Sequence, residues 1–274
     1  MIGAGGVAEV YRAEHVDDHK SIAIKVMREE RVGDKERTRG FTDEYRLLDS
    51  LQHTAIPKVR KLAMIKDRPA ILMDYIPGVT LFHLHLDEAK YHRIGAMMAM
   101  VNVIAYLHEQ NVLHNDIKLG NFILQPSGRL TLVDFGNARQ IGRKGIFKRL
   151  FKRGSAVFGT ATYLAPELIL GGEPSPETDV YALGVCMWMM LAGSAPFTGD
   201  RTTKRLNRAV KEEAPRICGK VPQIPEHLGR IIDGCLARDP EARPASAVTL
   251  RILLRNHFEQ SSELTPTSLL KILS

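Results

Sequence analysis

Leu113-His114-Asn115-Asp116-Ile117-Lys118-Leu119-Gly120-Asn121, followed after Phe122-Ile123-Leu124 and a short turn by Val133-Asp134-Phe135-Gly136, sets two carboxylates, an amide and a lysine in one stretch of chain. Phosphoryl transfer asks for such a set. Its charged transition state is stabilised mainly by position and electrostatics, so it needs a carboxylate beside the attacking hydroxyl, oxygen ligands for Mg²⁺ and a cation on the phosphate. Asp116, Asn121, Asp134 and Lys118 supply these groups.

Composition limits the alternatives. The chain has 274 residues, 44% hydrophobic and 25% charged, enough to build a sizeable core. Its longest apolar stretches, Ile94 to Leu107 and Ala182 to Gly193, fall short of the roughly 20 residues of a membrane span and read as buried helices. No basic region and apolar leader open the chain, so a secretory signal is not expected. Cys186, Cys218 and Cys235 show no metal spacing and cannot all pair, which favours a reducing compartment, the cytoplasm. The formal net charge of +7 is local: Arg139, Arg143, Lys144, Lys148, Arg149, Lys152 and Arg153 lie between Asp134 and Glu167 with no acidic residue among them. Setting those seven aside from the 38 Lys and Arg leaves 31, equal to the 31 Asp and Glu, so a general nucleic-acid surface is not expected.

Upstream, Val7 to Ala13 and Ile22 to Met27 read as strands, and Asp34 to Leu51 as a helix with Phe41, Tyr45, Leu48 and Leu51 on one stripe. Arg68-Pro69 is expected to separate two further strands, and Pro77-Gly78 to mark a boundary. Beyond it helices dominate, one presenting Met97, Met98, Val101, Ile104 and Ala105 on a single face, another Val180, Leu183, Gly184, Met187 and Leu191. Gly3-Ala4-Gly5-Gly6-Val7-Ala8 lets backbone amides approach a phosphate, although ordinary turns share that composition. Lys25 ends an apolar run and needs a buried partner, for which Glu44 on the helix is the candidate.

With these motifs in order along the chain, it resembles the eukaryotic-type serine/threonine protein kinase family over almost its whole length. The resemblance implies an α+β, bilobal fold: a small antiparallel sheet with one helix over 1–76, a mainly helical lobe over 77–258 and a tail over 259–274, with ATP and Mg²⁺ between the lobes. It implies a nucleotide site of Ile2, Gly3, Ala4, Gly5, Gly6, Val7, Ala8, Val10, Ala23 and Lys25, with Met73 as gatekeeper and Asp74 to Ile76 as hinge. It also implies Lys25 paired with Glu44, Asp116 as the base on a protein serine or threonine, and Asn121 and Asp134 on the metal. Glu167 of Ala165-Pro166-Glu167 would pair with Arg243, and Asp179 would support the catalytic loop. Lys118, on the transferred phosphate, and Gly159-Thr160 resemble serine/threonine rather than tyrosine kinases. His114 reads as a brace for the loop, His83 and His85 as surface residues and Cys186 as inert core.

Three departures stand out. Ala8 replaces the usual third glycine, where one methyl is tolerable. Met1 leaves little chain ahead of the glycines, so the first strand is expected to be truncated and nucleotide affinity reduced. Asn115 replaces the arginine that in the family grips an activation-loop phosphate, and so implies activity independent of that modification. The segment Ile146 to Arg153 has Ile146, Phe147, Leu150 and Phe151 on one side of a two-turn helix and four cations on the other. Packing on the protein itself, an acidic partner or substrate, and an anionic membrane all remain open for loop 139–153. Two other functions suit the same residues: a binding module of this fold without turnover, and a small-molecule phosphotransferase of related fold.

Overall fold

A computed structural model describes residues 1–14, 19–84, 90–142 and 160–260. His85, the Ile146 to Arg153 segment, Ser155, Gly159 and the tail after 260 lie outside the described residues, as does the side chain of Thr160. The chain divides into two compact units, the first made of 1–81 with 122–138 and the second of 82–121 with the remainder.

The first unit is built on a five-stranded antiparallel sheet in the order β1-β2-β3-β5-β4. Its strands are β1 (Gly3–Ala4), β2 (Ala8–Glu14), β3 (Ser21–Met27), β4 (Val59–Ile65) and β5 (Arg68–Asp74). Helix α1 (Lys35–Ser50) begins at Asp34, whose carboxylate accepts the Glu36 and Arg37 amides at 3.1 Å and satisfies two donors the helix cannot. It buries Phe41, Glu44 and Leu48, so a glutamate shares the apolar stripe. The hairpin between β4 and β5 turns at Lys66-Asp67, with φ of 47° and 59°, not at Arg68-Pro69 as the sequence suggests. Two positive φ values match the twist of a two-residue hairpin, and here neither residue is glycine. Pro69 is accommodated as the second residue of β5, before the pairing with β3 starts at Ala70, where no donor is needed.

A second antiparallel sheet in this unit, ordered β6-β8-β9, joins β6 (Val79–Thr80) to β8 (Phe122–Leu124) and β9 (Leu130–Leu132). Gly78 has φ +147°, and a side chain there would run into the Leu124 carbonyl, which explains the Pro77-Gly78 punctuation. The Leu132 amide also donates to the Ala55 carbonyl at 2.9 Å. These bonds draw 122–138 into the first unit, which a linear boundary after residue 76 does not anticipate.

The second unit is helical. A two-stranded ribbon pairs β7 (Val112–Leu113) with β10 (Arg139–Gln140). Its helices are α2 (Lys90–Glu109), α3 (Pro166–Ile169), α4 (Pro176–Ala192), α5 (Thr202–Lys211), α6 (Ile217–Lys220), α7 (Glu226–Cys235) and α8 (Ala247–Gln260). Helix α4 is stopped and started by its sequence: Ser175 and Thr178 form a reciprocal capping box, Pro176 occupies the first turn and Gly193 closes the end at φ 67°. It is buried nearly all round, as is α2, where Met100, Val103 and Leu107 are buried besides the single face expected. Gly184 lets α7 approach, since a Cβ there would lie 2.7 Å from the Cys235 Cβ. The antiparallel sheet with one helix, followed by a mainly helical part, is the α+β class expected. Among the described residues no helix is long and apolar enough to cross a membrane.

Candidate active site

Two clusters of polar side chains, one in each unit, gather the residues singled out in the sequence. In the first unit Lys25 sits in β3 with Val10 beside it on β2 and Ile71 on β5. Its ammonium lies 2.6 Å from Glu44 on α1 and 3.0 Å from Asp134. Burial alone would drive the lysine towards neutrality, but the two carboxylates outweigh it and hold its pKa above the ordinary value. Burial pushes the Glu44 pKa up; Lys25 opposes that and the Asp134 charge adds to it. Asp134 occupies the left-handed region at φ 66°, and its side chain is 49% exposed. Gly136 closes the cluster: a Cβ there would stand 3.4 Å from both the Asp134 carboxylate and the Lys25 nitrogen.

The glycine-rich turn belongs to the same unit. Gly3 pairs with Val10 and Ala4 with Glu9, the Ile2 amide donates to the Val10 carbonyl at 2.8 Å, and the Gly5 amide donates to Ala8 at 2.9 Å. Ala8 is buried opposite Met27, so the methyl that replaces the third glycine has a place in the sheet. Ala23 is buried in register with Met73. Asp74 is more constrained than a bare hinge residue. Its amide donates to the Lys58 carbonyl at 2.9 Å and its carboxylate accepts from Arg60 at 2.8 Å. Tyr75 stacks under the Arg12 guanidinium at 4.8 Å, and Ile76 is half-buried.

In the second unit the chain leaves β7 at Leu113 and turns tightly. Asp116, 8% exposed, accepts from Lys118 at 2.7 Å and from the Asn121 amide nitrogen at 3.3 Å; that nitrogen also donates to the Asp116 carbonyl at 2.8 Å. Asp179 at the start of α4 shapes the loop by accepting the His114 and Asn115 amides at 2.8 and 3.0 Å. His114 is fully buried and its Nδ1 accepts the Asp116 amide at 3.3 Å, the bracing role expected.

Two contributors were not anticipated. His108 on α2 accepts the Ala247 amide on Nδ1 at 3.1 Å, which makes Nε2 the donor to Asp179 at 3.2 Å, so α8, α2, α4 and the loop form one chain of bonds. Its position at the polar end of an apolar helix is the only sequence signal. The other is Tyr163, whose pKa burial raises, with the Leu119 backbone opposing the shift. Further along, Glu167 and Arg243 form a two-point ion pair, both contacts at 2.8 Å. His83 is exposed against Phe82, and no group of three His, Cys, Asp or Glu suited to a metal occurs among the described residues. Burial pushes the Cys186 thiol up, consistent with inert core.

A family model described as protein kinase domain matches residues 1–254. The chain is 30% identical over 262 residues to the serine/threonine-protein kinase PrkC of Bacillus subtilis, covering 94% of this chain and 40% of that protein. It is 29% identical to PknL of Mycobacterium tuberculosis, covering 91% of this chain and 62% of that protein. It is also 29% identical to PknB of the same organism, covering 96% and 43%. It therefore spans less than two thirds of the length of these curated relatives. A glycine-rich turn, a buried lysine–glutamate pair and an Asp116 loop anchored on Asp179, carried by a sheet with one helix and a helical unit, accord with that match: the chain belongs to the protein kinase domain family.

Proposed function

We propose that this chain transfers the γ-phosphoryl group of ATP to serine or threonine hydroxyls of proteins. The observation that carries the reading is the buried Asp116 carboxylate, held in a fixed loop with Lys118 and Asn121 bonded to it. Asp116 orients the hydroxyl and takes its proton as the oxygen bonds to the γ-phosphorus and the bond to ADP breaks. Lys118 offers its ammonium to the transferred group. Lys25, kept protonated by Glu44 and Asp134, contacts the phosphates. Two carboxylates against one ammonium leave the first cluster net negative, and a polyphosphate approaches it favourably only with a cation. Asp134 in the first unit and Asn121 in the second carry oxygen donors that suit Mg²⁺, which when bound neutralises phosphate charge. Because Asn115 lacks the guanidinium that would grip a phosphate, activity does not require phosphorylation of the activation segment.

The test is incubation with labelled ATP and Mg²⁺ beside Asp116→Ala, with phosphoamino-acid identification on a generic basic protein. Label on serine or threonine, lowered about 10²–10⁴-fold in the variant, is expected. Nucleotide binding without transfer would return the binding-module reading, and label on a small molecule alone would return the phosphotransferase one.

A further inference from the structure

The tip of the glycine-rich turn has almost nothing packed on it: a Cβ on Gly6 would meet no atom within 4 Å, and one on Gly5 only the Ala8 carbonyl at 3.7 Å. Yet two arginines just past β3 reach back to it. Arg28 Nε donates to the Gly5 carbonyl at 2.8 Å, and Arg31 Nε donates to the Gly6 carbonyl at 3.3 Å. The Arg28 amide donates to the Val7 carbonyl at 2.9 Å, which ties the same corner by its backbone. Glu9 and Glu30 each stand 3.6 Å from the Arg28 guanidinium and set its direction. A peptide group is planar and trans, so its C=O and the next residue's N–H point to opposite sides. Holding the Gly5 carbonyl thus aims the Gly6 N–H away from the arginines, and holding the Gly6 carbonyl does the same for the Val7 N–H.

We infer that Arg28 and Arg31 are positioning residues that clamp the glycine-rich turn by its carbonyls, so that a phosphate meets two amides already aimed at it. This rests on the nucleotide reading proposed above. Without the clamp, binding must first order a turn that no packing holds, and affinity falls for phosphate-bearing ligands alone.

Calorimetry on the full chain with adenosine and with Mg²⁺·ADP separates the cases. Arg28→Ala is expected to weaken ADP about tenfold, the low end for a charge-assisted bond because the guanidinium is partly exposed. Arg31→Ala, with its longer bond, is expected to weaken ADP about threefold. Adenosine affinity and the urea midpoint stay unchanged in both. Arg28→Lys keeps a charged donor at one point and loses less than Arg28→Ala, which also protects the test should the alanine variant fail to fold. Equal losses for adenosine and ADP, an unchanged ADP affinity, or a larger loss in Arg28→Lys than in Arg28→Ala would overturn the clamp. Wild-type protein that binds adenosine but gains nothing from the phosphates of ADP would overturn the nucleotide reading itself, and the clamp with it.

Discussion

Removing the Arg243 side chain tests whether the helical unit depends on one buried ion pair. All five guanidinium donor positions are used: two to Glu167 at 2.8 Å, and one each to the carbonyls of Ala237 at 2.7 Å, Glu177 at 3.1 Å and Arg238 at 3.1 Å. The Tyr181 ring lies 4.9 Å beneath it. The arginine side chain is 0% exposed and that of Glu167 only 18%, so water replaces the lost donors poorly. Breaking such a pair from one side costs about 3–5 kcal/mol, and the residual exposure of Glu167, with its bond from Thr178 at 3.1 Å, places Arg243→Ala in the lower half of that range. Against a typical total of about 5–15 kcal/mol the loss is large. Arg243→Lys keeps the charge but at least two donors go, for about 2–3 kcal/mol. Trp188, the only tryptophan, is buried in α4 of the same unit, so its fluorescence during urea unfolding reports the relevant transition. Arg243→Met with Glu167→Gln removes the stranded charge, and it should cost less than the two single changes added together by about 0.5–3 kcal/mol. An alanine variant within about 1 kcal/mol of wild type, or a strictly additive double variant, would refute the reasoning.

Other parts of the structure make their own demands. Gly184→Ala drives a methyl against Cys235 where α4 and α7 touch, and about 1–3 kcal/mol should be lost in the same fluorescence assay. His53 accepts the Ala55 amide on Nδ1 at 3.0 Å, and burial lowers its pKa from 6.5. A depressed base contributes stability that is complete above the ordinary value and is lost as pH falls through the lowered one; an NMR titration of its ring protons giving a midpoint above 6.5 would contradict this. Glu44→Gln leaves Lys25 with Asp134 as its one carboxylate, and kcat/KM for ATP should fall about tenfold without loss of the sheet's circular dichroism signal. Phosphatase treatment or Ser155→Ala should leave turnover within about twofold of the untreated enzyme; abolished turnover in folded protein would remove the role assigned to Asn115.

Much of this was legible because the signals are local. Alternation marks β2 and β3, Asp34 caps α1, and a lysine inside an apolar strand calls for a partner such as Glu44. Arg243 found its partner only through resemblance, since 76 residues separate it from Glu167 and no local pattern links them. What escaped was non-local or chemically silent. Strand pairing carries 122–138 back to the first sheets, which no composition shift announces. Lys66 and Asp67 turn a hairpin in conformations that residues other than glycine seldom adopt, so Arg68-Pro69 looked the stronger breaker. Arg28 and Arg31 look like ordinary surface charges until their guanidinium groups are seen on glycine carbonyls.

Asn115 shows how a departure from the family pattern is absorbed. The loop's shape depends on Asp179 accepting the backbone amides of His114 and Asn115, and on His108 fixing Asp179 in turn, so none of these bonds uses the side chain at 115. The residue stands at φ 62°, in the left-handed region that asparagine enters more readily than most residues, arginine included. Exchanging arginine for asparagine therefore removes a charge while easing the backbone that carries it. Asp116 stays anchored through its neighbours, Lys118 and Asn121. The loop is held by α4, α2 and the start of α8, all packed in the second unit.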